Sequence, residues 1–442
     1  MALRQRIAPI GLTLVMAGAL AAQPAPATDV QLATFDAAWQ IVWRTHFDTT
    51  FNGVDWKALR DEFRPRAVGA SRDTVRRLIT RMLDRLGQSH FSLIPGEAID
   101  DDSAGRADGN GTAGLEVRLV EGRVVVTRVE PGGPAQAAGI RSGWIVTAVD
   151  GHQVDSLLER LKNRPGRGGL GFRAVQGVTA WLAGPADSAV RLALLDGSDR
   201  PVEKTLRRAS DPSPAVKWGA FPTFFARFRS EELNVQGVRV GVIWFNNWLV
   251  PLMRQVDSAI FSWREHDGIV LDLRGNTGGA AAMVSGLAGH FTPRRDTLGS
   301  NQTRTSTMYF IANPRAVTTE GSPVTPYAGP VAVLTDELSG SASEVFTGGM
   351  QALQRVRVFG DTSIGAVLPA IWDRLPNGDV LYHALGEFIT VTGERLEGRG
   401  VLPHEPMTVT RADLLAGRDP VLEAAIRWIA ARREPKNPGG DE

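Results

Sequence analysis

No cysteine occurs among the 442 residues of the chain. That absence excludes a disulfide framework, a thiolate nucleophile, a Cys-ligated zinc site and an iron–sulfur cluster. Lysine is nearly as scarce. Of 49 basic residues only five are Lys, at positions 57, 162, 204, 217 and 436, so any mechanism that needs a lysine between 217 and 436 is excluded. Seven histidines are left as the strong candidates for a catalytic base or a metal ligand. The 49 basic and 48 acidic residues nearly cancel, and no Lys/Arg block or face stands out, so nucleic-acid binding is not supported. The composition that remains, 43% hydrophobic and 22% charged, is ordinary for globular proteins, and the length allows two or three domains of roughly 100 to 200 residues.

The first residues have the layout of a secretory signal peptide. Arg4 and Arg6 precede an apolar run over 7–20, and Ala19-Leu20-Ala21 offers a small-residue cleavage site ahead of a Pro/Ala-rich stretch. The run falls short of the roughly 20 apolar residues that a spanning helix needs, so no stable membrane span is expected once residues 1–21 are removed. The expected address is periplasmic or secreted. No H-E-x-x-H or other closely spaced ligand set occurs, so neither a metal nor another cofactor is expected.

Along the chain the apolar pattern changes period twice. Residues 35–85 read as helical throughout: Phe35, Trp39, Val42 and Trp43 share one face, and Val75, Leu78, Ile79, Met82 and Leu83 recur every three or four positions. Gly87 is a candidate helix stop, and residues 30–98 are expected to form a helical N-terminal domain carrying Ser89-His90. Residues 100–111 read as a linker. From 110 to 208 the pattern is β, with a hairpin turn at Glu121-Gly122, a strand over 145–149 closed by Asp150-Gly151, and an insertion over 156–185. Gly166 to Gly171 formally match G-x-G-x-x-G, but they follow Arg164-Pro165 rather than a strand, so they are not read as a nucleotide site. Residues 215–433 alternate strands (240–245, 268–273, 331–335) with helices (251–263, 280–287, 341–353), which predicts a mainly parallel sheet. The fold class expected is multidomain α/β, ending in a disordered tail at 434–442.

Ser341 lies at a strand-to-helix junction among small residues. Such a turn exposes a hydroxyl while the following N–H groups and the helix dipole face developing negative charge. On local chemistry alone, Ser339, Ser341 and Ser343 read equally well as helix-cap and turn residues.

Four segments carry a resemblance: GIVLDLRGNTGGAAAMVSGLAGHF, VAVLTDELSGSASEVFTGGM, VRVFGDTSIGAV and ERLEGRGVLPHEP. In that order they resemble the core motifs of the tail-specific, or C-terminal-processing, serine proteases. The 114–154 segment resembles a PDZ domain, as expected ahead of such a core. The resemblance implies Ser341 as the nucleophile, with backbone N–H groups of Gly278 (or Gly279) and Ala342 as the oxyanion hole. It implies a peptide-binding edge at Ala113, Gly114, Leu115, Glu116 and Val117, where a substrate's C-terminal tail would add as a strand. The Ser–Lys branch of the family places its lysine where this sequence has Ala366. A tricorn-core-like branch instead uses Ser–His–Ser–Glu, which here implies His90 as general base, positioned by Ser89 and Glu397. The function expected is an exported serine endopeptidase acting on proteins with apolar or unfolded C-terminal tails. The loss of the lysine also admits a catalytically inactive, PDZ-containing peptide-binding scaffold.

Among rival groups, His404 reads as a loop residue, and His290 and His383 as helix-end or strand residues without an acid partner. His46, His152 and His266 read as surface positions. Glu394 is the rival acid, and Glu344 reads as a helix-start charge.

Overall fold

The computed structural model describes residues 27–98, 110–162, 168–217, 219, 223–318 and 320–432. The expected signal peptide, the linker up to residue 109, Gly166-Arg167 and the 434–442 tail lie outside the described residues.

The N-terminal region is three helices rather than one helical run. Helix Ala27–Thr45 is followed by Trp56–Phe63 and Arg72–Asp84. Local residues impose the breaks: Asn52 and Gly53 take left-handed φ values of 57° and 80°, Pro65 opens a short 3-10 turn, and Gly69 has φ 67°. Asp55 and Ser71 then restart the helices as N-caps, accepting from the N–H groups of Ala58 and Thr74. The periodic residues Val75, Leu78, Ile79, Met82 and Leu83 are buried in one cluster with Phe35, Ala38 and Val42.

Past Gly87, with φ 64°, the chain leaves the helices and joins the core. Strand Ser92–Ile94 pairs antiparallel with Val380–Ala384, Leu93 opposite Leu381, and Ala370–Arg374 completes that sheet. Phe91, Leu368, Leu375 and Leu381 belong to the same apolar cluster as the N-terminal helices. Burial of each contributes about 1.5–3 kcal/mol, enough collectively to hold the N-terminal segment in place.

The β-domain is an antiparallel sheet in which Leu115–Val120, Arg123–Val129, Ile145–Val149, Ala189–Leu195 and Pro201–Arg207 lie side by side. Leu115–Val120 is one edge strand and Pro201–Arg207 the other, and helix Leu170–Leu182 packs across the first. Ala113 and Val117 point into the core of this domain.

The C-terminal half carries a six-stranded sheet in the order Phe228–Val235, Val238–Phe245, Gly268–Asp272, Val331–Thr335, Arg357–Gly360, Glu405–Pro406. The first pair is antiparallel and the other four pairings are parallel. Gly268–Asp272 and Val331–Thr335 are apolar along almost their whole length, as strands covered on both faces should be. Helices Met253–Ser262, Ala282–Ala288 and Ala342–Ala352 pack on one face, and Pro420–Ala430 on the other.

Candidate active site

Parallel strands bring their C-terminal ends to one rim of the sheet, where Val331–Thr335 turns into helix Ala342–Ala352. Ser341 is the N-cap residue of that helix, with φ 51° and ψ −115°, a conformation that a non-glycine residue holds only when its surroundings impose it. The surroundings are explicit. Gly340 N–H donates to Asn276 O (3.0 Å), Ser341 N–H to Ala366 O (2.9 Å), and Asp336 accepts from Gly275 N–H (2.8 Å) and Leu338 N–H (3.0 Å).

The three serines of this turn separate by environment. Ser339 is fully buried, donating to Leu273 O (2.8 Å). Ser343 is buried too, donating to Asn276 O (3.0 Å) and accepting from the Trp248 indole (2.8 Å). Ser341 instead lines a cavity of about 530 Å³ together with Ser89, His90, Thr277, Tyr382 and Glu397.

The N-terminal region and the core meet in that cavity. Glu397 Oε1 accepts from Ser89 N–H (2.6 Å), and its Oε2 accepts from Ser89 Oγ (2.8 Å) and Val367 N–H (3.0 Å). Ser89 Oγ also lies 2.7 Å from His90 Nδ1. A hydroxyl has one proton, and here Glu397 receives it, so the Ser89–His90 bond must take its proton from Nδ1. Neutral His90 is therefore the Nδ1–H tautomer, which leaves Nε2 as the basic nitrogen. His90 itself has φ 59°, and its ring packs against that of Tyr382, centroids 5.6 Å apart.

Gly278 abuts the serine: a Cβ built there would lie 2.5 Å from Ser341 Cβ, so only glycine fits. Its N–H, however, donates to Asn276 Oδ1 (3.0 Å), and an incoming oxyanion would have to displace that acceptor. The N–H groups of Gly279 and Ala342 donate to no acceptor among the described residues.

Glu344, read from the sequence as a helix-start charge, is fully buried beside the serine. It accepts from Ser341 N–H (3.0 Å), Ala366 N–H (2.8 Å), Gly365 N–H (2.7 Å) and Ser363 Oγ (2.6 Å). Burial still pushes its carboxyl up to about 7 against those four bonds. Ala366, where the resemblance to the Ser–Lys branch would put a lysine, lines the cavity, and no lysine does so among the described residues.

The rival histidines stand elsewhere, in settings that differ from the sequence reading. His290 and His383 do have acid partners: His290 Nε2 is 2.6 Å from Asp257, and His383 Nε2 is 2.8 Å from Asp373. His46 is fully buried, 2.8 Å from Gln88 Oε1, and the His266 side chain is only 6% exposed. None of the four lines the cavity around Ser341. His404 accepts from Val358 N–H (3.0 Å), and Glu394 is exposed and pairs with Arg399.

On the β-domain edge, Gly114 has φ 70° and donates to Thr112 Oγ1 (3.0 Å), while Glu116 pairs with Arg229 (3.2 Å). Leu115 faces Val129 across the sheet.

Comparison with known proteins places three segments. Residues 239–407 match the family model of peptidase family S41, residues 111–163 that of a PDZ domain, and residues 32–84 that of the Tricorn protease C1 domain. Over 398 residues the chain is 23% identical to a carboxyl-terminal-processing protease of Synechocystis, covering 88% of this chain and 84% of that protein. It is 25% identical over 424 residues to a Streptomyces coelicolor protein named as a tricorn protease homolog, covering 92% of this chain. The chain spans only 33% of that relative's length. The fold is that of the photosystem II D1 C-terminal processing protease, with a TM-score of 0.59, 22% identity, and coverage of 90% of this chain and 96% of that one.

Proposed function

We propose, from the premise that this chain is a serine-type peptidase with an S41 core, a PDZ domain and a Tricorn C1 domain, that it is an exported C-terminal-processing endopeptidase working through Ser341, His90, Ser89 and Glu397. The observation that carries this reading is the Glu397–Ser89–His90 hydrogen-bond relay, which opens into the same cavity as Ser341.

In this reading His90 Nε2 takes the Ser341 proton as Oγ attacks the scissile carbonyl carbon. The carbonyl oxygen becomes an oxyanion facing the N–H of Ala342, a glycine N–H of the 278–279 pair and the positive end of helix Ala342–Ala352. Collapse breaks the C–N bond, and the imidazolium returns its proton to the leaving amine, leaving an acyl ester on Ser341. A water deprotonated by His90 then attacks the ester, releasing the acid product and restoring the hydroxyl. Ser89, held by Glu397, keeps the ring in the Nδ1–H tautomer and stabilises its cationic form. Substrates are proteins whose apolar or unfolded C-terminal tails add to the edge formed by Ala113, Gly114, Leu115, Glu116 and Val117, with cleavage following at Ser341. Residues 1–21 direct the chain to the periplasm or beyond.

The test is covalent labelling with a fluorophosphonate followed by mass spectrometry. The adduct is expected on Ser341 and absent in Ser341→Ala; labelling that survives the substitution rejects the assignment.

A further inference from the structure

Glu344 makes more bonds than its place in the helix requires. As the third residue of helix Ala342–Ala352 it accepts from the N–H of the N-cap residue Ser341, the half of a capping box that a glutamate supplies. That accounts for one of its four donors. Ser363 Oγ, Gly365 N–H and Ala366 N–H come from a loop 19 to 22 residues further on, and none of them belongs to the helix.

The loop they come from has a second set of anchors. Val367 N–H, next in the chain, donates to Glu397 Oε2, the same oxygen that accepts from Ser89 Oγ. Gly398 N–H donates to Gly365 O (2.8 Å), and a Cβ on Gly365 would lie 2.9 Å from Gly400 N, so the loop lies hard against the turn that follows Glu397. Ala366 O closes the circuit by accepting from Ser341 N–H. The 363–367 loop thus touches the nucleophile turn on one side and the acid of the relay on the other.

We propose that Glu344 is a positioning residue for the peptidase reaction: its carboxylate fixes the 363–367 loop between Ser341 and Glu397 and so sets the separation of the nucleophile from the Glu397–Ser89–His90 relay. This rests on the reading of Ser341 and His90 given above. Four donors fill the acceptor sites of one carboxylate, and no single neutral side chain of the same length can receive all four. A glutamine would turn an NH₂ group toward backbone N–H groups and push the loop away. A displacement of the order of 1 Å at this distance from the chemistry costs about 100-fold in rate.

The experiment uses the full chain at pH 8.5, where Glu344 is ionised, and two readouts, fluorophosphonate labelling and steady-state cleavage of an unfolded protein. Wild type is expected to label and turn over. Glu344→Gln is expected to lose about 100-fold in kcat with KM within about threefold, and to keep the wild-type far-UV spectrum. Because both acids act through one loop, adding Glu344→Gln to Glu397→Gln should slow the enzyme by less than about threefold more. A kcat for Glu344→Gln within about threefold of wild type overturns the proposal, and so does a fully multiplicative loss in the double variant. Should Glu344→Gln not fold, Ser363→Ala, which removes one donor, is expected to lower kcat by about threefold to tenfold with KM unchanged, and an unchanged kcat overturns the proposal. Wild type that neither labels nor cleaves overturns the Ser341 reading and this proposal with it; a labelled wild type beside an unaffected Glu344→Gln overturns this one alone.

Discussion

Ser89 and Glu397, 308 positions apart in the chain, are joined twice: Ser89 N–H donates to Oε1 at 2.6 Å and Ser89 Oγ–H to Oε2 at 2.8 Å. The pair of hydrogen bonds fixes the serine in rotation as well as in position, so its lone pairs face His90 Nδ1. The docking of the N-terminal region onto the core and the choice of histidine tautomer are therefore one event.

Glu397→Gln is the sharpest probe of that event. The amide keeps an oxygen at one of the two carboxylate positions and turns an NH₂ group to the other, so it faces either Ser89 N–H or Ser89 Oγ and Val367 N–H with a donor and cannot hold all three. We expect kcat/KM to fall by roughly 10²- to 10⁴-fold, as when the orienting acid of a serine-hydrolase relay is neutralised. Steady-state kinetics on an unfolded protein substrate checks this, and a loss of less than about threefold would falsify the relay.

What the sequence made legible follows from range. Ser341, Ser89-His90 and Glu397 each sit inside a short contiguous motif, and the parallel sheet follows from strands and helices read one at a time. Glu344 was readable only as a helix-start charge, because three of its four donors arrive from residues 363–366. The acid partners of His290 and His383 are not adjacent in the chain either: Asp257 is 33 positions away, and Asp373 lies diagonally from His383 across a hairpin, two positions along from Ile371, which is opposite it. His46 is buried by ring packing against Phe91 and by its bond to Gln88, neither of which periodicity reports. The breaks in the N-terminal helices are a different case. Asn52-Gly53, Pro65 and Gly69 are local signals, and the apolar period masked them.

The proposed His90 base predicts that the enzyme is indifferent to lysine chemistry. None of the lysines at 57, 162, 204 and 217 lines the Ser341 cavity. Reductive methylation keeps the charge, so the contact of Lys57 over the Trp43 ring, 5.2 Å to the centroid, should persist. Fully methylated protein is expected to retain kcat/KM within about twofold, since surface changes of this kind seldom cost more than about 0.5 kcal/mol. A tenfold loss would point to a lysine base.

Asp379 holds the N-terminal region from the core side. Its fully buried carboxylate accepts from Arg76 (2.6 Å), Arg72 (3.1 Å), Gly96 N–H (3.0 Å) and Asn377 (2.9 Å). Burial raises its pKa, but the bonds from Arg76, Gly96 and Asn377 outweigh burial and bring it down to about 2. An acid lowered on folding stabilises above its unfolded value near 3.8, and that contribution disappears as pH falls toward 2. Asp379→Asn removes the buried anion and leaves Arg76 and Arg72 with only the exposed Glu97 as acid partner, and is expected to cost about 2 kcal/mol. The measurement is thermal melting alongside limited proteolysis of residues 27–98. Unchanged melting and unchanged protection would remove Asp379 from the docking interface.

Glu337 predicts a pH dependence of the opposite sign. It lies between the nucleophile turn and helix Leu170–Leu182, so close that a Cβ on Gly171 would sit 1.9 Å from both carboxylate oxygens. Its Oε1 is buried and has no hydrogen-bond partner among the described residues. Burial first, then the charges of Asp336 and Asp361, push its carboxyl up to about 7, with Arg118 opposing. The folded state therefore binds this proton more tightly than the unfolded chain, whose value is near 4.5, and stability falls as pH rises through the window from about 4.5 to about 7. Glu337→Gln removes the titration and keeps the shape. At pH 4, below both values, where the carboxyl is protonated in the folded and largely in the unfolded chain, the two proteins should melt together; at pH 8 the variant should melt higher. Glu344 titrates over the same range but is common to both proteins, so the difference between them isolates Glu337. A gap between the two melting curves that is the same at pH 4 and pH 8 would show that the carboxylate is solvated at this interface.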